Sequence, residues 1–380
     1  MHDLTIVIVA YNAEQTIARA VRSALASGPF PILLVDDGSK DATVQIAEQI
    51  AGELITIVKQ PQNGGVGAAR GRALEEIKTP YGMWLDADDA IMPNRAETML
   101  EALKAGVDIV YDGGVLIDDE TGKQIKALAI PDFMFEKGAE VRCVERNWYP
   151  LLHCGFRVSV ARSVGFDTSF SCAEDYDFLL RAIMSGVKIE PQKAAGYCYY
   201  HRAETISRDL AKTRDHVRRA LEKYGLDAIE QRLRKSKLSE VEQYSVLAGM
   251  ALYRQDYDAA SRYAHQVQDR HAAIIPYGMN SGLFVDYIAA SAAAAQGHWQ
   301  QAYELLHEAI HTAPSEDLWN NLGVALHHLG EPQKAKEAFS EALKLMPGYY
   351  DAQQNLEADV PSGWTSHPLR RQSSRSDYSR

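Results

Sequence analysis

The chain has 380 residues, which is long enough for two or three separately packed domains. Apolar residues make up 46% of it and charged residues 24%, a composition that excludes a generally disordered protein. The formal net charge of −11 excludes broad nucleic-acid binding, because a surface that follows a phosphate backbone needs an excess of lysine and arginine.

The cysteines and the first apolar run bear on the compartment. Cys143, Cys154, Cys172 and Cys198 lie far apart without metal-ligand spacing, so we expect reduced, buried thiols in a reducing compartment. The apolar run Leu4–Ala10 is too short for a signal peptide or a membrane span, and no other segment reaches eighteen apolar residues. We therefore expect a cytoplasmic protein without a transmembrane segment, for which peripheral membrane contact stays open.

Short β-rich runs alternate with helical patterns in the first half of the chain. Strands are predicted at residues 4–10, 32–35, 55–58 and 81–85, and helices at 13–26, 44–50 and 67–77. This order predicts an α/β domain with a mostly parallel sheet, right-handed crossovers and helices on both faces. Ligands of such sheets bind beyond the carboxyl ends of the strands, where the polar motifs described below lie.

A helical repeat is visible after about residue 215, where the strand patterns end. Residues 297–314 align with residues 330–347 at an offset of 33, with Ala302 opposite Ala335 and Pro314 opposite Pro347. This resembles the tetratricopeptide repeat, a helical pair of about 34 residues. Residues 244–264 look like a third, more degenerate copy, and a generic helical bundle is the alternative. Because stacked helix pairs form an extended concave surface, we expect binding of a protein partner or acceptor, or self-association.

These patterns divide the chain into four segments. An α/β domain is predicted at residues 1–215, a helical linker at 216–240 and tetratricopeptide-like repeats at 241–358. The remaining residues, 359–380, form a basic tail rich in serine and arginine that we expect to be disordered.

Polar residues follow the first two predicted strands. Tyr11, between Ala10 and Asn12, can stack on a base, while Asn12 can hold its loop in place; simple packing of the tyrosine is the alternative. Asp36 and Asp37 repel each other, so a folding role for both is poorly motivated, and one carboxylate can accept from a base imide or a ribose hydroxyl. Capping of the next helix would explain the polar residues that follow Asp36 and Asp37, but it would not explain these two aspartates.

A glycine loop precedes the third predicted helix. Asn63 is followed by Gly64 and Gly65, which let backbone N–H groups approach a ligand, and the start of a helix favours an anion. The loop matches neither the dinucleotide-binding pattern nor the lysine-bearing P-loop. Arg70 can donate to a phosphate or a pyrimidine oxygen. A glycine turn followed by a surface arginine is the alternative.

Three carboxylates crowd the end of the fourth predicted strand. Asp86, Asp88 and Asp89 surround Ala87, and such crowding is costly unless something positive binds there. A hard divalent cation with the diphosphate that it bridges is the natural partner. A solvated acidic loop is the alternative.

Two further polar segments lie closer to residue 210. Asp175, next to Glu174, stands where it can cap a predicted helix or take a proton from an attacking hydroxyl. His201 ends a tyrosine-rich segment and can complete a metal site or hold phosphate. The polar residues that follow His201 and can join it are Arg202, Ser207 and Arg208.

In their order and spacing these six motifs resemble the family-2 glycosyltransferases of the GT-A fold, over roughly residues 3–210. The resemblance implies a Rossmann-like GT-A sheet domain, a nucleotide-sugar donor with UDP as the default nucleotide, and Mn²⁺ or Mg²⁺. One departure is that Gly71 follows Arg70, where the family often has asparagine.

The resemblance also implies a role for each motif. Tyr11 and Asp37 would hold the base, Arg70 the base or the diphosphate, and Asp86 would face the ribose. The other donor-binding residues that it implies are Ala10, Asn12, Asn63, Gly65, Ala87, Glu174, Arg202, Ser207 and Arg208.

For the chemistry, the resemblance implies Asp88 as the metal ligand, with His201 at a position that contacts metal or diphosphate, and Asp175 as the general base. The sequence thus predicts a metal-dependent inverting glycosyltransferase that acts on a hydroxyl of a cell-envelope glycan or protein. Two alternatives stay open: an inactive sugar-nucleotide-binding scaffold that acts through its repeats, and a nucleotidyltransferase, whose usual glycine-rich basic loop near the first strand is absent.

Overall fold

The structure is a computed structural model, and contacts between residues divide it into two compact units, Met1–Gly225 and Leu226–Arg380. The domain boundaries drawn from the sequence remain predictions beside this division. The residues that the structure describes are 3–145, 147–149, 153–201, 210–269, 271–274, 279–361 and 363–365.

The first unit mixes strands and helices throughout. Its strands are β1 (Leu4–Ala10), β2 (Ile32–Asp36), β3 (Ile55–Lys59), β4 (Tyr81–Asp86), β5 (Ala90–Ile91), β6 (Ile109–Asp118), β7 (Gln124–Leu128), β8 (Gly155–Arg157) and β9 (Ile189–His201). Its helices are α1 (Ile17–Ala26), α2 (Thr43–Ala51), α3 (Val66–Glu76), α4 (Arg95–Lys104), α5 (Val158–Val164), α6 (Glu174–Met184) and α7 (Leu210–Glu222).

The strands of the first unit belong to one sheet. Within the described residues the order is β3-β2-β1-β4-β8-β6-β9-β5, and β7 pairs with β6. The strands β3, β2, β1 and β4 are parallel neighbours, which confirms the predicted β-α-β order. Every residue of β1 is buried, as expected for a parallel strand that is covered on both faces. The carboxyl ends of β1, β2 and β4 therefore lie side by side.

The strands after residue 86 were not predicted from the sequence. The strand β6 carries Asp112 and two glycines, which break the hydrophobic pattern that marks a strand. Gly113 has a structural reason, because a Cβ atom there would lie 2.6 Å from the carbonyl oxygen of Leu128 on β7. The glycine lets the two strands approach, and only the tertiary arrangement reveals this.

A buried ion pair links α4 to the middle of the sheet. The side chain of Arg95 is fully buried, and its Nε and Nη2 atoms donate to the two carboxylate oxygens of Asp112, each over 2.8 Å. Arg95 also donates to the carbonyl oxygens of Trp84 and His153. One side chain therefore fixes α4, β4, β6 and the segment that leads into β8.

The second unit is built from helices that pack on their neighbours in the chain. They are α8 (Leu226–Arg234), α9 (Glu240–Tyr253), α10 (Tyr257–His265), α11 (Ser281–Ala295), α12 (Trp299–Thr312), α13 (Glu316–His328), α14 (Pro332–Leu345) and α15 (Tyr350–Glu357). The expectation that no strand follows residue 215 is wrong, because β10 (Ala273–Ile274) pairs with β11 (Met279–Asn280). Strands of two residues are too short to leave a periodic pattern.

The repeated small residues let paired helices approach closely. A Cβ atom on Gly323 of α13 would lie 2.4 Å from the ring of Phe339 on α14, so glycine is required for this packing. Ala335 and Ala342 of α14 are buried in the same core. Among the described residues, no helix is both long enough and apolar enough to span a membrane.

Replacing Arg95 with methionine should leave Asp112 as a buried carboxylate without its partner. We expect the free energy of unfolding of the first unit to fall by about 3–5 kcal/mol, measured by urea unfolding. Arg72→Met is the control, because its pairs with Glu75 and Glu76 are exposed and contribute at most about 0.5 kcal/mol. A fall below about 1 kcal/mol for Arg95→Met would show that Asp112 does not depend on this pair.

Candidate active site

A cleft of about 650 Å³ opens at the carboxyl ends of β1 and β4. Tyr11 lies at its wall with 48% of its surface exposed, and Asp86 and Asp88 line it as well. The complete lining is Val9, Tyr11, Asn12, Ala13, Glu14, Gln15, Thr16, Lys40, Asp41, Val66, Asp86, Ala87 and Asp88. The structure thus brings residues of the first and fourth motifs to one wall, as the strand order requires.

Asn12 connects the loops after β1 and β2. Its backbone N–H donates to the Ser39 hydroxyl over 2.9 Å, and its side-chain oxygen accepts from the backbone N–H of Lys40 over 2.9 Å. Asn12 also has a left-handed backbone, with φ of 48°, which asparagine tolerates better than most residues. The predicted role of Asn12 in holding the loop agrees with these contacts.

Asp37 organises the glycine loop from inside the protein. It is 3% exposed, and its carboxylate accepts from the backbone N–H groups of Gly64 and Gly65, each over 2.8 Å, and from the Gln60 amide over 2.7 Å. The oxygen of the exposed Asn63 side chain accepts from Gly65 too. Because both Asp37 oxygens have donors inside the protein, its contacts here are those of a loop anchor.

Arg70 bridges two motifs that lie far apart in the chain. Its guanidinium is buried and donates to Glu174 over 2.8 Å and to Asp86 over 3.1 Å. Burial alone would lower the pKa of Arg70, but Asp86 and Glu174 outweigh it and raise this pKa. Arg70 therefore stays charged and ties the end of β4 to the start of α6, which carries Asp175.

His153 completes the pairing of Asp86 and was not singled out in the sequence. Its Nε2 atom lies 2.7 Å from the second Asp86 oxygen, and its ring stacks on Tyr197 with centroids 4.4 Å apart. Burial would raise the pKa of Asp86, but His153 and Arg70 outweigh it and lower this pKa. Burial would likewise lower the pKa of His153, which the Asp86 carboxylate raises instead. Arg70 and His153 thus favour the ionised form of Asp86.

The third acid of the cluster points into the protein. Asp89 is 1% exposed and accepts from the Tyr197 hydroxyl and the Tyr200 backbone N–H, each over 2.8 Å. Burial raises the pKa of Asp89 to about 7, and the neighbouring Asp88 and Asp86 add to the rise. Asp89 therefore joins the acidic loop to β9 and does not line the cleft.

Asp88 is half-buried and lines the cleft, and Arg19 of α1 holds its backbone. The Arg19 guanidinium donates to the Asp88 carbonyl and to the Asp119 carboxylate, each at a distance of 2.5 Å. It also lies 3.5 Å from the centre of the Tyr200 ring. Arg19 is a second residue that supports the cleft wall and that no pattern in the sequence indicated.

Asp175 and Glu174 begin α6. Ala173 precedes the helix with φ of 57°, and no side chain caps it, so the capping interpretation of Asp175 is wrong: Asp175 already lies in the first turn. One Asp175 oxygen accepts from the Tyr176 backbone N–H over 2.7 Å, and the other has no donor among the described residues. Burial raises the pKa of Glu174 to about 7, with Asp175 adding to the rise and Arg70 opposing it.

The last predicted segment is described only in part. His201 ends β9 opposite Asp118 of β6, and the preceding residue, Tyr200, is bound to Asp89. Arg202, Ser207 and Arg208 lie outside the described residues, as do residues 366–380 of the predicted tail.

The surroundings of the candidate metal ligands decide which of them could bind a divalent cation. Ligand atoms of Asp86, Asp89 and His153 lie within 4.8 Å of one another. The Nε2 atom of His153 donates to Asp86, however, and Asp89 is 1% exposed and does not line the cleft, so these two residues support the site. Asp86 and Asp88 fit a hard cation better, because both line the cleft and offer carboxylate oxygens there.

Two family models match this chain. Residues 5–163 match glycosyl transferase family 2, and residues 316–349, which contain α13 and α14, match the tetratricopeptide repeat. The first match covers residues of β1 to β8 and of the cleft but ends before β9, and the second confirms the repeat seen in the sequence.

Similar proteins are named for succinoglycan biosynthesis and for the glycosylation of poly(ribitol-phosphate). The chain is 29% identical over 258 residues to the succinoglycan biosynthesis protein ExoO of Rhizobium meliloti, covering 62% of this chain and 73% of that protein. It is 29% identical over 222 residues to the succinoglycan biosynthesis protein ExoU of the same organism, covering 54% and 64%. It is 28% identical over 216 residues to poly(ribitol-phosphate) β-N-acetylglucosaminyltransferase TarS of Staphylococcus aureus, covering 54% and 36%. The chain thus spans about a third to three quarters of these relatives.

A solved structure shares the fold. Residues 1–349 of S. aureus TarS, crystallised in complex with UDP-GlcNAc, match with a TM-score of 0.50 and 17% identity over 92% of this chain and 93% of that chain. The predicted architecture, a GT-A-type α/β domain followed by a helical region, is confirmed.

Replacing Asp37 with asparagine should destabilise the protein even without a nucleotide. An amide offers an N–H group where one of the loop N–H donors needs an acceptor, at a cost of about 1–3 kcal/mol. We expect a lower Tm for Asp37→Asn in thermal unfolding without nucleotide, and an unchanged Tm for the exposed control Glu53→Gln. An unchanged Tm for Asp37→Asn, together with lost nucleotide binding, would instead mean that Asp37 acts only on the ligand.

Proposed function

Because residues 5–163 match the model of glycosyl transferase family 2, we propose that the chain is a member of this family. We propose that it moves a sugar from a UDP-sugar to a hydroxyl of a cell-envelope glycan or protein, with inversion and with Mn²⁺ or Mg²⁺. The observation that carries this proposal is the bridge from Asp86 through Arg70 to Glu174. It holds the candidate base Asp175 to the acid that lines the nucleotide-sized cleft.

The donor proposal rests on the cleft and on one relative. The exposed ring of Tyr11 offers a stacking surface for a base at the mouth of the cleft, and Asp86 offers an ionised acceptor for ribose hydroxyls. TarS, which has this fold, was crystallised with UDP-GlcNAc, and this supports UDP as the nucleotide. Arg70 stays a predicted donor-binding residue, and its two ion pairs support an indirect role in which it positions Asp86.

The acceptor proposal rests on the relatives alone. ExoO and ExoU are named for succinoglycan biosynthesis, and TarS is named as an N-acetylglucosaminyltransferase that acts on poly(ribitol-phosphate). The tetratricopeptide repeat supports a further protein partner or self-association. The four cysteines are buried thiols and form no disulfides, which supports the predicted cytoplasmic compartment.

The residues suit a single displacement. Asp175 takes the proton of the acceptor hydroxyl while that oxygen bonds to the anomeric carbon and the bond to the diphosphate breaks, so the electron pair leaves with the nucleoside diphosphate. Attack opposite to the leaving group inverts the configuration. A divalent cation at Asp86 and Asp88 would neutralise the charge that grows on the diphosphate. Arg70 and His153 keep Asp86 ionised in that place.

Asp175→Asn should remove the base and leave the donor site intact. We expect the release of UDP from the preferred UDP-sugar to slow by about 10²–10⁴-fold, with the affinity for UDP unchanged in calorimetry. The preferred donor is found first, by testing a panel of nucleotide sugars with Mn²⁺ or Mg²⁺. The exposed residue Asp132 supplies the control Asp132→Asn, which should react like wild type. A wild-type protein that binds UDP but turns over no nucleotide sugar would support the inactive scaffold instead.

Asp88→Asn should uncouple nucleotide binding from the metal. In wild type, EDTA should weaken the binding of UDP by about tenfold or more, because a cation held by Asp88 would neutralise charge on the diphosphate. In Asp88→Asn, calorimetry with and without Mn²⁺ should give the same weak affinity, while Asp132→Asn keeps the metal effect. Equal UDP affinity with and without metal in wild type would contradict the metal-dependent mechanism.

A further inference from the structure

Buried amide side chains line one face of the helical repeats. Asn320 and Asn321 of α13 are fully buried, and Asn355 of α15 is 3% exposed. Burying an amide without hydrogen bonds costs free energy, so positions in a helical core normally carry apolar residues. These three amides therefore need a polar partner, and residues 363–365 of the same unit supply it.

The amides bind the main chain of this segment at alternate residues. Asn355 accepts from the Gly363 N–H over 2.8 Å and donates to the Gly363 carbonyl over 3.0 Å, and Asn320 donates to that carbonyl over 2.8 Å. Asn321 accepts from the Thr365 N–H over 2.8 Å and donates to the Thr365 carbonyl over 3.0 Å. Paired donors and acceptors at residues two apart resemble the pattern that one strand offers another. The contacts recognise an extended main chain of any sequence.

The side chains of the segment add selectivity. A Cβ atom on Gly363 would lie 2.9 Å from the Asn355 side-chain oxygen, so this position admits only glycine without a shift. The Trp364 indole donates to the Ser291 hydroxyl over 3.1 Å and lies against Trp299, with ring centroids 6.4 Å apart. These contacts select a glycine followed by an aromatic residue.

A polar pocket receives the third residue. Thr365 is fully buried, and its hydroxyl donates to Asp351 over 3.1 Å and lies 2.6 Å from the Tyr349 hydroxyl. The Tyr349 hydroxyl also donates to Asp317 over 2.7 Å. Burial raises the pKa of Tyr349, and Asp317 raises it further, so this phenol stays a donor. A pocket with two carboxylates suits a hydroxyl that can donate, and it disfavours an apolar side chain.

We propose that the helical repeats contain a peptide-binding site for an extended glycine-aromatic-threonine segment, and that residues 363–365 occupy it in cis. The site is separate from the transfer reaction and does not depend on it. Because a tethered segment has a high effective concentration, a second peptide with the same pattern binds only when the cis segment is released. The ligand is the same segment of another copy of this chain, because residues 363–365 make every contact by which the site is defined.

The test uses the full chain and a fluorescent peptide of residues 359–368. Wild type should bind the peptide weakly in anisotropy titrations, because its site is occupied. Gly363→Val should release the cis segment through the clash with Asn355, and the peptide should then bind at least about tenfold more tightly. A peptide with valine in place of Gly363 should bind neither protein. Similar weak binding to wild type and to a Gly363→Val chain of unchanged helix content would overturn the proposal.

Variants of the site separate recognition from folding. In the Gly363→Val chain, Asn321→Ala should weaken the binding of the peptide by about tenfold through two lost hydrogen bonds. Gln354→Ala is the matched control, because Gln354 is an exposed amide next to Asn355, and it should bind like its parent. If Asn321→Ala does not fold, a peptide with valine in place of Thr365 takes its place and should bind about tenfold more weakly. Equal binding of the original and the valine-substituted peptides would contradict the proposed pattern.

Discussion

The first unit depends on how carboxylates are neutralised at the carboxyl edge of its parallel sheet. Strand order places the ends of β1, β2 and β4 side by side, so the acids that follow them repel one another at short range. Asp86 is stable there because Arg70 and His153 contact one oxygen each. The same Arg70 holds Glu174, and this fixes the start of α6 and the neighbouring Asp175. One charged cluster thus defines both the cleft wall and the candidate base.

The acids of this edge divide into two kinds according to whether they line the cleft. Asp37 and Asp89 accept hydrogen bonds inside the protein, and they fix the glycine loop and the end of β9. Asp86 and Asp88 line the cleft, where a cation and a diphosphate would meet them. A carboxylate enclosed by the protein stabilises a loop, whereas one at a cleft wall can also meet a ligand.

The second unit follows the same physical rule with amides in place of carboxylates. A helical core tolerates Asn320, Asn321 and Asn355 because a peptide main chain satisfies their hydrogen bonds. In both units, buried polar side chains are stable because main-chain or side-chain groups from other segments satisfy their hydrogen bonds. Apolar packing, as between Gly323 and Phe339, provides the rigid frame for them.

The sequence by itself determined the first four strands, their helices, the helical repeats and the six motifs, because apolar runs, helical periodicity and strand-end acids are local patterns. It could not reveal β5 to β9, whose glycines and charges are explained by neighbours such as Leu128 on another strand. Nor could it find His153, a single histidine 67 residues from Asp86, or distinguish the inward Asp89 from Asp88 beside it. Only the tertiary structure decided these points, because the donors that each acid meets come from distant parts of the chain.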